Sequence, residues 1–389
     1  MHTNYAQCFS SLDHNRFVYP STKEDLRDIV VSARANNHSI RVLGNSHSLT
    51  TLNIPRKNEI VVLLDKFNSV SLNQDHSITA DAGVEIKVIA RFLNILGLDL
   101  PIINGGLGSP TVAGFIYAGG IGKTEASLSL GRSAVYGGFW NHVNTIEWID
   151  GFGNFHISTK SDSLFNWFFG SMGQFSIIVK ATLSSINPSG SKLPDDIYKL
   201  YSKPFSLSKD DQSYSQLTEN TKRTLWVSTF CHPENELKAW NIFEDWVLTS
   251  NSIIRPVSNA RWAGPDYYGL PIGYLYTIKS LGMNAPLVYD TDRDFLVLGI
   301  AFETITGNNH FNQSLIMQIN KCYKILLEHK FSLYASVENI SNSYSPEQVY
   351  SKNNLEFFRF LRDKYGFTGF INDGWLDNLI LPEIDFKHV

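Results

Sequence analysis

Cysteine is nearly missing from this chain: Cys8, Cys231 and Cys322 are the only three in 389 residues, far apart and in neither a CxxC nor a metal-ligand spacing. That excludes a disulfide framework and a cysteine-bound zinc site, and it fits a reducing compartment. An excess of one charge is missing as well. The 33 basic and 37 acidic residues give a formal net charge of -4, with no long run of either sign. Such a chain lacks the electrostatic footprint of a nucleic-acid or anionic-membrane binder, which leaves a small molecule as the expected partner. Long apolar runs are absent too. No segment offers the roughly 20 apolar residues that cross a bilayer, and the first twenty residues lack the apolar h-region of a signal peptide. The expectation is a soluble, cytoplasmic protein, its oligomeric state left open.

What is present is a hydrophobic content of 43%, enough for a full core in a chain long for one compact unit, so two domains are expected. Ser21 and Glu24 have capping-box spacing, and Leu26, Ile29, Val30 and Ala33 follow on one face, which predicts a helix over 22–36. Strands are expected at 39–43, 59–64 and 77–82. A second helix carries Ile86, Ile89, Ala90 and Leu93 on one face, with Gly97 just past its end. Between Asn104 and Gly122 the chain is rich in glycine and nearly uncharged, unlike a solvated linker, which indicates backbone packed against something buried. A hairpin is expected from 143–149 and 155–158 around Asp150-Gly151-Phe152-Gly153-Asn154, then a strand over 175–183. Asn187-Pro188-Ser189-Gly190 opens a polar run and marks the expected boundary. Residues 1–187 form the first domain, 188–332 a smaller α+β unit rich in Trp, Tyr and His, and 333–389 a C-terminal segment. That unit should hold strands at 224–230 and 295–303 and a helix over 311–329. The last segment has helical spacing over 355–365. The whole reads as α+β.

Two short motifs carry chemistry. Arg41-Val42-Leu43-Gly44-Asn45-Ser46-His47-Ser48 reads as a strand entering a turn of small polar residues, whose successive N–H groups can form a concave nest for a pyrophosphate. Gly119-Gly120-Ile121-Gly122-Lys123-Thr124 ends like a P-loop, but Tyr117 stands where that motif needs a glycine. A Rossmann fingerprint is absent too, because no Gly-x-Gly-x-x-Gly opens a helix after a strand.

Taken in order, these segments resemble a known family. The capped helix, the Gly44-to-Ser48 turn, Gly108-Ser109-Pro110-Thr111-Val112-Ala113-Gly114, and Leu164-Phe165 with Met172-Gly173-Gln174-Phe175-Ser176-Ile177-Ile178 resemble the PCMH-type FAD-binding domain of the vanillyl-alcohol-oxidase family. The likeness covers about residues 17–186 and returns near Leu333. It implies a two-part FAD-binding domain with a smaller substrate domain, and FAD as cofactor. Covalent members such as cytokinin dehydrogenases and alditol oxidases have Gly-x-x-His-Ser in the first turn, which implies an 8α-histidyl bond through His47. Such a bond retains the flavin and raises its potential. Ser109 stands where doubly linked relatives have cysteine, so a second tether is not expected. The same likeness implies that Thr111 and Gly114 belong to the diphosphate cradle, that Ile121, Gly122 and Ile178 line the flavin and adenine, and that Tyr117 lies near them. Gly44, Asn45, Ser46 and Ser48 complete the first turn.

The subfamilies part company at the substrate. Cytokinin dehydrogenases have a catalytic Asp where this chain has Gly106. The Glu-x-Arg pair of the sugar and lactone oxidases is reduced to Glu303-Thr304-Ile305, and their His-Trp-x-Lys is absent. Leu333-Tyr334-Ala335-Ser336-Val337 keeps the tyrosine of the decaprenylphosphoryl-ribose oxidases' Leu-Tyr-x-x-Lys without its lysine. The likeness therefore implies hydride removal from an alcohol of the polyol, sugar or lactone type, with oxygen or another acceptor reoxidising the flavin. Glu303 and Tyr334 are the candidate bases, since a base has to sit within hydrogen-bond reach of the departing proton. An amine-oxidising enzyme, an NADPH-dependent flavin reductase and a non-catalytic flavin-binding protein stay open as alternatives.

Overall fold

The computed structural model describes residues 2–3, 10–11, 16–45, 54–104, 109–122, 131–190, 193–207, 222–249, 273–305, 309–334 and 345–372. A short antiparallel pair, β1 (His2–Thr3) and β2 (Ser10–Ser11), precedes the first core layer. That layer is a parallel sheet of β3 (Arg16–Val18), β4 (Ile40–Leu43) and β5 (Ile60–Leu63), ordered β3-β5-β4. Parallel strands need a crossover, and α1 (Lys23–Ala35) supplies it between β3 and β4, burying Leu26, Val30 and Ala33. Its capping box falls one residue later than the Ser21/Glu24 spacing indicates. The Thr22 hydroxyl accepts the Asp25 N–H at 3.0 Å, and Asp25 Oδ2 accepts the Thr22 N–H at 3.1 Å and the Ser21 hydroxyl at 2.7 Å.

The second sheet is antiparallel. It runs β11-β6-β7-β10-β8-β9, from β6 (Ser69–Leu72), β7 (Ile78–Asp81), β8 (Val143–Ile149), β9 (Phe155–Thr159), β10 (Ile177–Leu183) and β11 (Phe205–Ser206). The glycine turn of the β8–β9 hairpin is held by the Asp150 carboxyl, which accepts the N–H groups of Phe152 and Asn154 at 2.9 and 2.8 Å. Gly153 takes the positive φ of +90° that this turn demands. Helices α2 (Ile86–Ile95), α3 (Val112–Ala118) and α4 (Arg132–Tyr136) fill the long β7–β8 connection. After β10, α5 (Asp195–Tyr201) sets Tyr201 edge-on to Phe92 of α2, and β11 pairs with β6. The polar stretch past 187 thus stays against the first unit through Ser206.

The third sheet, β13-β14-β12-β15, comprises β12 (Lys222–Cys231), β13 (Gly273–Ile278), β14 (Phe295–Ile305) and β15 (Ser332–Leu333). It is covered by α6 (Glu236–Thr249) and α7 (Asn309–Glu328). Trp240 and Trp246 are buried on α6 among Ala239, Ile242 and Phe243, so these two rings belong to the core. Trp140 stacks on Phe295 at 6.5 Å, joining this sheet to the first unit. Two more helices follow, α8 (Pro346–Val349) and α9 (Lys352–Lys364), after which the chain returns to β4. Ile371 bridges Ile40 in parallel, the Ile40 N–H donates to the Phe370 carbonyl at 2.7 Å, and the Asn372 N–H donates to the Ile40 carbonyl at 2.9 Å. Among the described residues no helix is long and apolar enough to cross a membrane.

β4 carries a charge into the core. Arg41 Nε and Nη2 hold the Glu59 carboxyl at 3.0 and 2.8 Å, the Arg56 N–H adds a third bond at 2.7 Å, and both ion-pair side chains are 2% exposed. Breaking such a pair from one side leaves a buried charge without compensation. Arg41→Met should cost about 3–5 kcal/mol in urea unfolding, and Arg41→Met with Glu59→Leu should recover most of it.

Candidate functional site

β4 ends where the Gly44 turn begins, and α3 starts at the same place. A methyl group at Gly44 would lie 2.6 Å from Thr111 Oγ1, so only glycine lets the turn come this close. Asn45 Nδ2 donates to the Ser109 carbonyl at 3.2 Å, a second tie between the two segments. Thr111 is the N-cap of α3 and its hydroxyl accepts the Gly114 N–H at 3.1 Å. The N–H groups of Val112 and Ala113 go to the carbonyls of Val84 and Ala82, so α3 spends its first amides on the fold itself. By contrast, the consecutive N–H groups of Gly44 and Asn45 find no acceptor among the described residues. Two successive free amides, a glycine that admits no side chain and an adjoining hydroxyl are the makings of an anion nest. Ser46, His47 and Ser48 lie outside the described residues, as do Gly106, Gly108, Lys123 and Thr124.

Ser109 is buried, and its hydroxyl accepts the Lys87 N–H at 2.9 Å, capping the first turn of α2 from outside. Gly114 is exposed and Tyr117 half-buried on α3, while Val112, Ala113, Phe115 and Ile116 of the same helix are buried. The Tyr117 hydroxyl donates to the Ser176 carbonyl at 3.0 Å and accepts the Ile178 N–H at 2.9 Å. Burial pushes this phenol up to about 12, so it stays neutral and keeps both bonds. Ser176 carries a positive φ of +76° and Met172 one of +56°, unusual for residues with side chains, in the loop that the Tyr117 carbonyl also holds through the Met172 N–H. The segment after α3 is pinned residue by residue. The Gly119 carbonyl accepts the Tyr334 hydroxyl at 3.0 Å, the Gly120 carbonyl accepts the Phe139 N–H at 2.9 Å, and the Gly122 N–H donates to Ser133 Oγ at 2.8 Å. Ile121 bridges Gly138.

Of the two candidate bases, Tyr334 reaches this segment and Glu303 lies apart from it. Tyr334 packs on Phe230 at 4.8 Å, and Phe230 pairs with Val297 on β14. Glu303 pairs with Thr224, six residues farther along β14, or about 20 Å at the rise of an antiparallel strand. The two residues are not brought together. Two further residues stand out that sequence reading passed over. Ser133 joins the Gly122 turn to the third sheet, its carbonyl accepting the Lys279 N–H at 3.0 Å just past β13. Glu85, the N-cap residue of α2, is 4% exposed and makes no capping bond. No periodicity or motif signals either one, because both depend on which neighbours the fold supplies.

Residues 15–136 match the family model described as an FAD binding domain, a span that takes in Gly44, Asn45, Glu85, Thr111, Gly114, Tyr117, Ile121 and Gly122. A curated protein of Rhodococcoides fascians, named "Uncharacterized oxidoreductase ORF5 in fasciation locus", is 28% identical over 168 residues, covering 43% of this chain and 36% of that protein. The aligned part of the chain thus spans about a third of the length of that relative.

The closeness of Gly44 to Thr111 has a measurable cost. Gly44→Ala should destabilise the protein by about 1–3 kcal/mol in chemical unfolding through overpacking. Thr111→Ala in the same chain should return part of that loss.

Proposed function

We propose that this chain, which carries an FAD-binding domain over residues 15–136 and so joins the FAD-linked oxidoreductases, removes a hydride from a small-molecule alcohol of the polyol, sugar or lactone type. The observation that carries this reading is the pair of amides at Gly44 and Asn45, which have no acceptor among the described residues and are set against Thr111 inside the matched span. A dinucleotide needs donors at its diphosphate, and a backbone nest provides them without a basic side chain. Bound FAD supplies a two-electron acceptor that takes the hydride at N5. The protein supplies the rest. His47, three residues beyond Gly44 in the sequence, is proposed to tether the flavin through its imidazole. Gly114, Tyr117, Ile121, Gly122 and Ile178 are proposed to line the cofactor, with Tyr117 holding the shape of that wall through Ser176 and Ile178. Tyr334, which meets the backbone of this wall at Gly119 through its hydroxyl, is the first choice for the group that receives the substrate's proton, a role it can fill only as the phenolate, after that hydroxyl has given up its own proton. Glu303, about 20 Å along β14, is the second. Oxygen or another acceptor completes the cycle, and the expected compartment is the cytoplasm.

Purified protein should be yellow, with a flavin spectrum that bleaches anaerobically with a substrate polyol, sugar or lactone. Colourless protein that refuses added FAD would sink the reading. The colour should follow the acid precipitate in the wild type and stay in the supernatant for His47→Ala; free colour in both removes only the tether. Tyr334→Phe should keep its flavin and lose at least about 100-fold in kcat. Unchanged turnover would move the proton acceptor to Glu303, for which Glu303→Gln is the corresponding test.

A further inference from the structure

Glu85 carries a buried carboxyl group that makes no hydrogen bond or ion pair among the described residues. The residue is 4% exposed, and its Oε1 is sealed from solvent. Leaving a buried oxygen unmatched forfeits its hydration without return, a loss that folding alone does not favour. Its position explains what could offset the cost. Glu85 and Thr111 form an antiparallel bridge, with the Ile86 N–H donating to the Pro110 carbonyl at 3.0 Å and the Val112 N–H to the Val84 carbonyl at 2.8 Å. These bonds flank the pair, which makes it the close, non-hydrogen-bonded kind, with Cβ atoms about 4.5–5.5 Å apart and both side chains on one face. Thr111 uses that face to meet Gly44. Glu85 therefore stands on the same side as the anion nest, next to it.

We infer that Glu85 recognises a hydroxyl group flanking the diphosphate of the bound dinucleotide, accepting its hydrogen bond. This rests on the FAD-binding reading above. A phosphate brings only acceptors and cannot satisfy a carboxyl oxygen, so the partner has to be the neighbouring part of the ligand. On either side of the FAD diphosphate that part is a polyol, ribitol toward the ring system and ribose toward adenine. Both present hydroxyl donors. A residue kept in this way stabilises the complex and destabilises the empty protein.

The signs of those two effects provide the test. In a His47→Ala background, where binding is reversible, Glu85→Met should raise the thermal midpoint of the apo-protein by about 2 °C or more while weakening FAD binding, followed by quenching of flavin fluorescence, by about tenfold, or ~1.4 kcal/mol. A residue with a merely structural role would lower the midpoint instead. Nucleotide analogues on the Glu85-containing protein give a second measurement that needs no folded Met variant. ADP is compared with 2′,3′-dideoxy-ADP, and FMN with its 2′,3′,4′-trideoxyribityl analogue. A tenfold preference within the first pair assigns the ribose, and one within the second assigns the ribitol. If neither pair is discriminated, or if Glu85→Met binds FAD as tightly as its parent, the inference is overturned while the FAD-binding reading stands. Failure of the parent to bind FAD at all would overturn both.

Discussion

Asn372 holds together the segments on which the site depends. Its side-chain oxygen accepts the Val42 N–H at 2.7 Å, its side-chain amide donates to the Gly173 carbonyl at 2.6 Å, and its own carbonyl accepts from Gln174 Nε2 at 3.1 Å. Its N–H meets the Ile40 carbonyl. One residue thus satisfies backbone groups of β4 and of the 173–174 turn at once, in a left-handed conformation with φ of +47° that asparagine tolerates better than most side chains. β4 would otherwise end the parallel sheet with an open edge. Because β4 runs directly into Gly44, fixing its edge also fixes where the anion nest points.

The Gly44 turn and its neighbours show how the proposed site conflicts with the fold around it. Gly44 gives up a side chain so that the turn can touch Thr111. The amides of Gly44 and Asn45 go without acceptors among the described residues. Ser176 and Met172 hold positive φ values in the loop that Tyr117 secures. Each of these departures is unfavourable by itself, and they lie within three segments joined by hydrogen bonds. Strain of this sort persists where surrounding contacts over-determine it. The tightly paired Arg41 and Glu59 behind β4 and the Asp150-clasped hairpin are among those contacts.

Much of the fold was legible in the sequence wherever a periodic pattern had a single solution. The apolar faces of α1 and α2, the β8–β9 hairpin with its glycine turn, and the long helix α7 follow from residue spacing. Legibility failed where two readings shared one spacing: Ser21/Glu24 and Thr22/Asp25 both fit a capping box, and the geometry selects the second. It failed also where an element is defined by its partner. β6 is four residues of alternating Ser, Val, Ser and Leu, and β11 is two residues, so neither announces itself without the other. Within the site, the family resemblance assigned the Gly44 turn and Thr111 to one cradle, while the close approach of Gly44 to Thr111 is a feature of the packed chain. The isolation of the Glu85 carboxyl and the junction at Ser133 were not, since burial of a polar group is a property of the packed chain and leaves no mark in local sequence.

The tie between Val42 and Asn372 spans 330 positions. Closing so large a loop is entropically slow. During translation the outer edge of β4 cannot gain this bond until residue 372 has left the ribosome, so the strand that leads into Gly44 is completed only after the whole N-terminal half has been made.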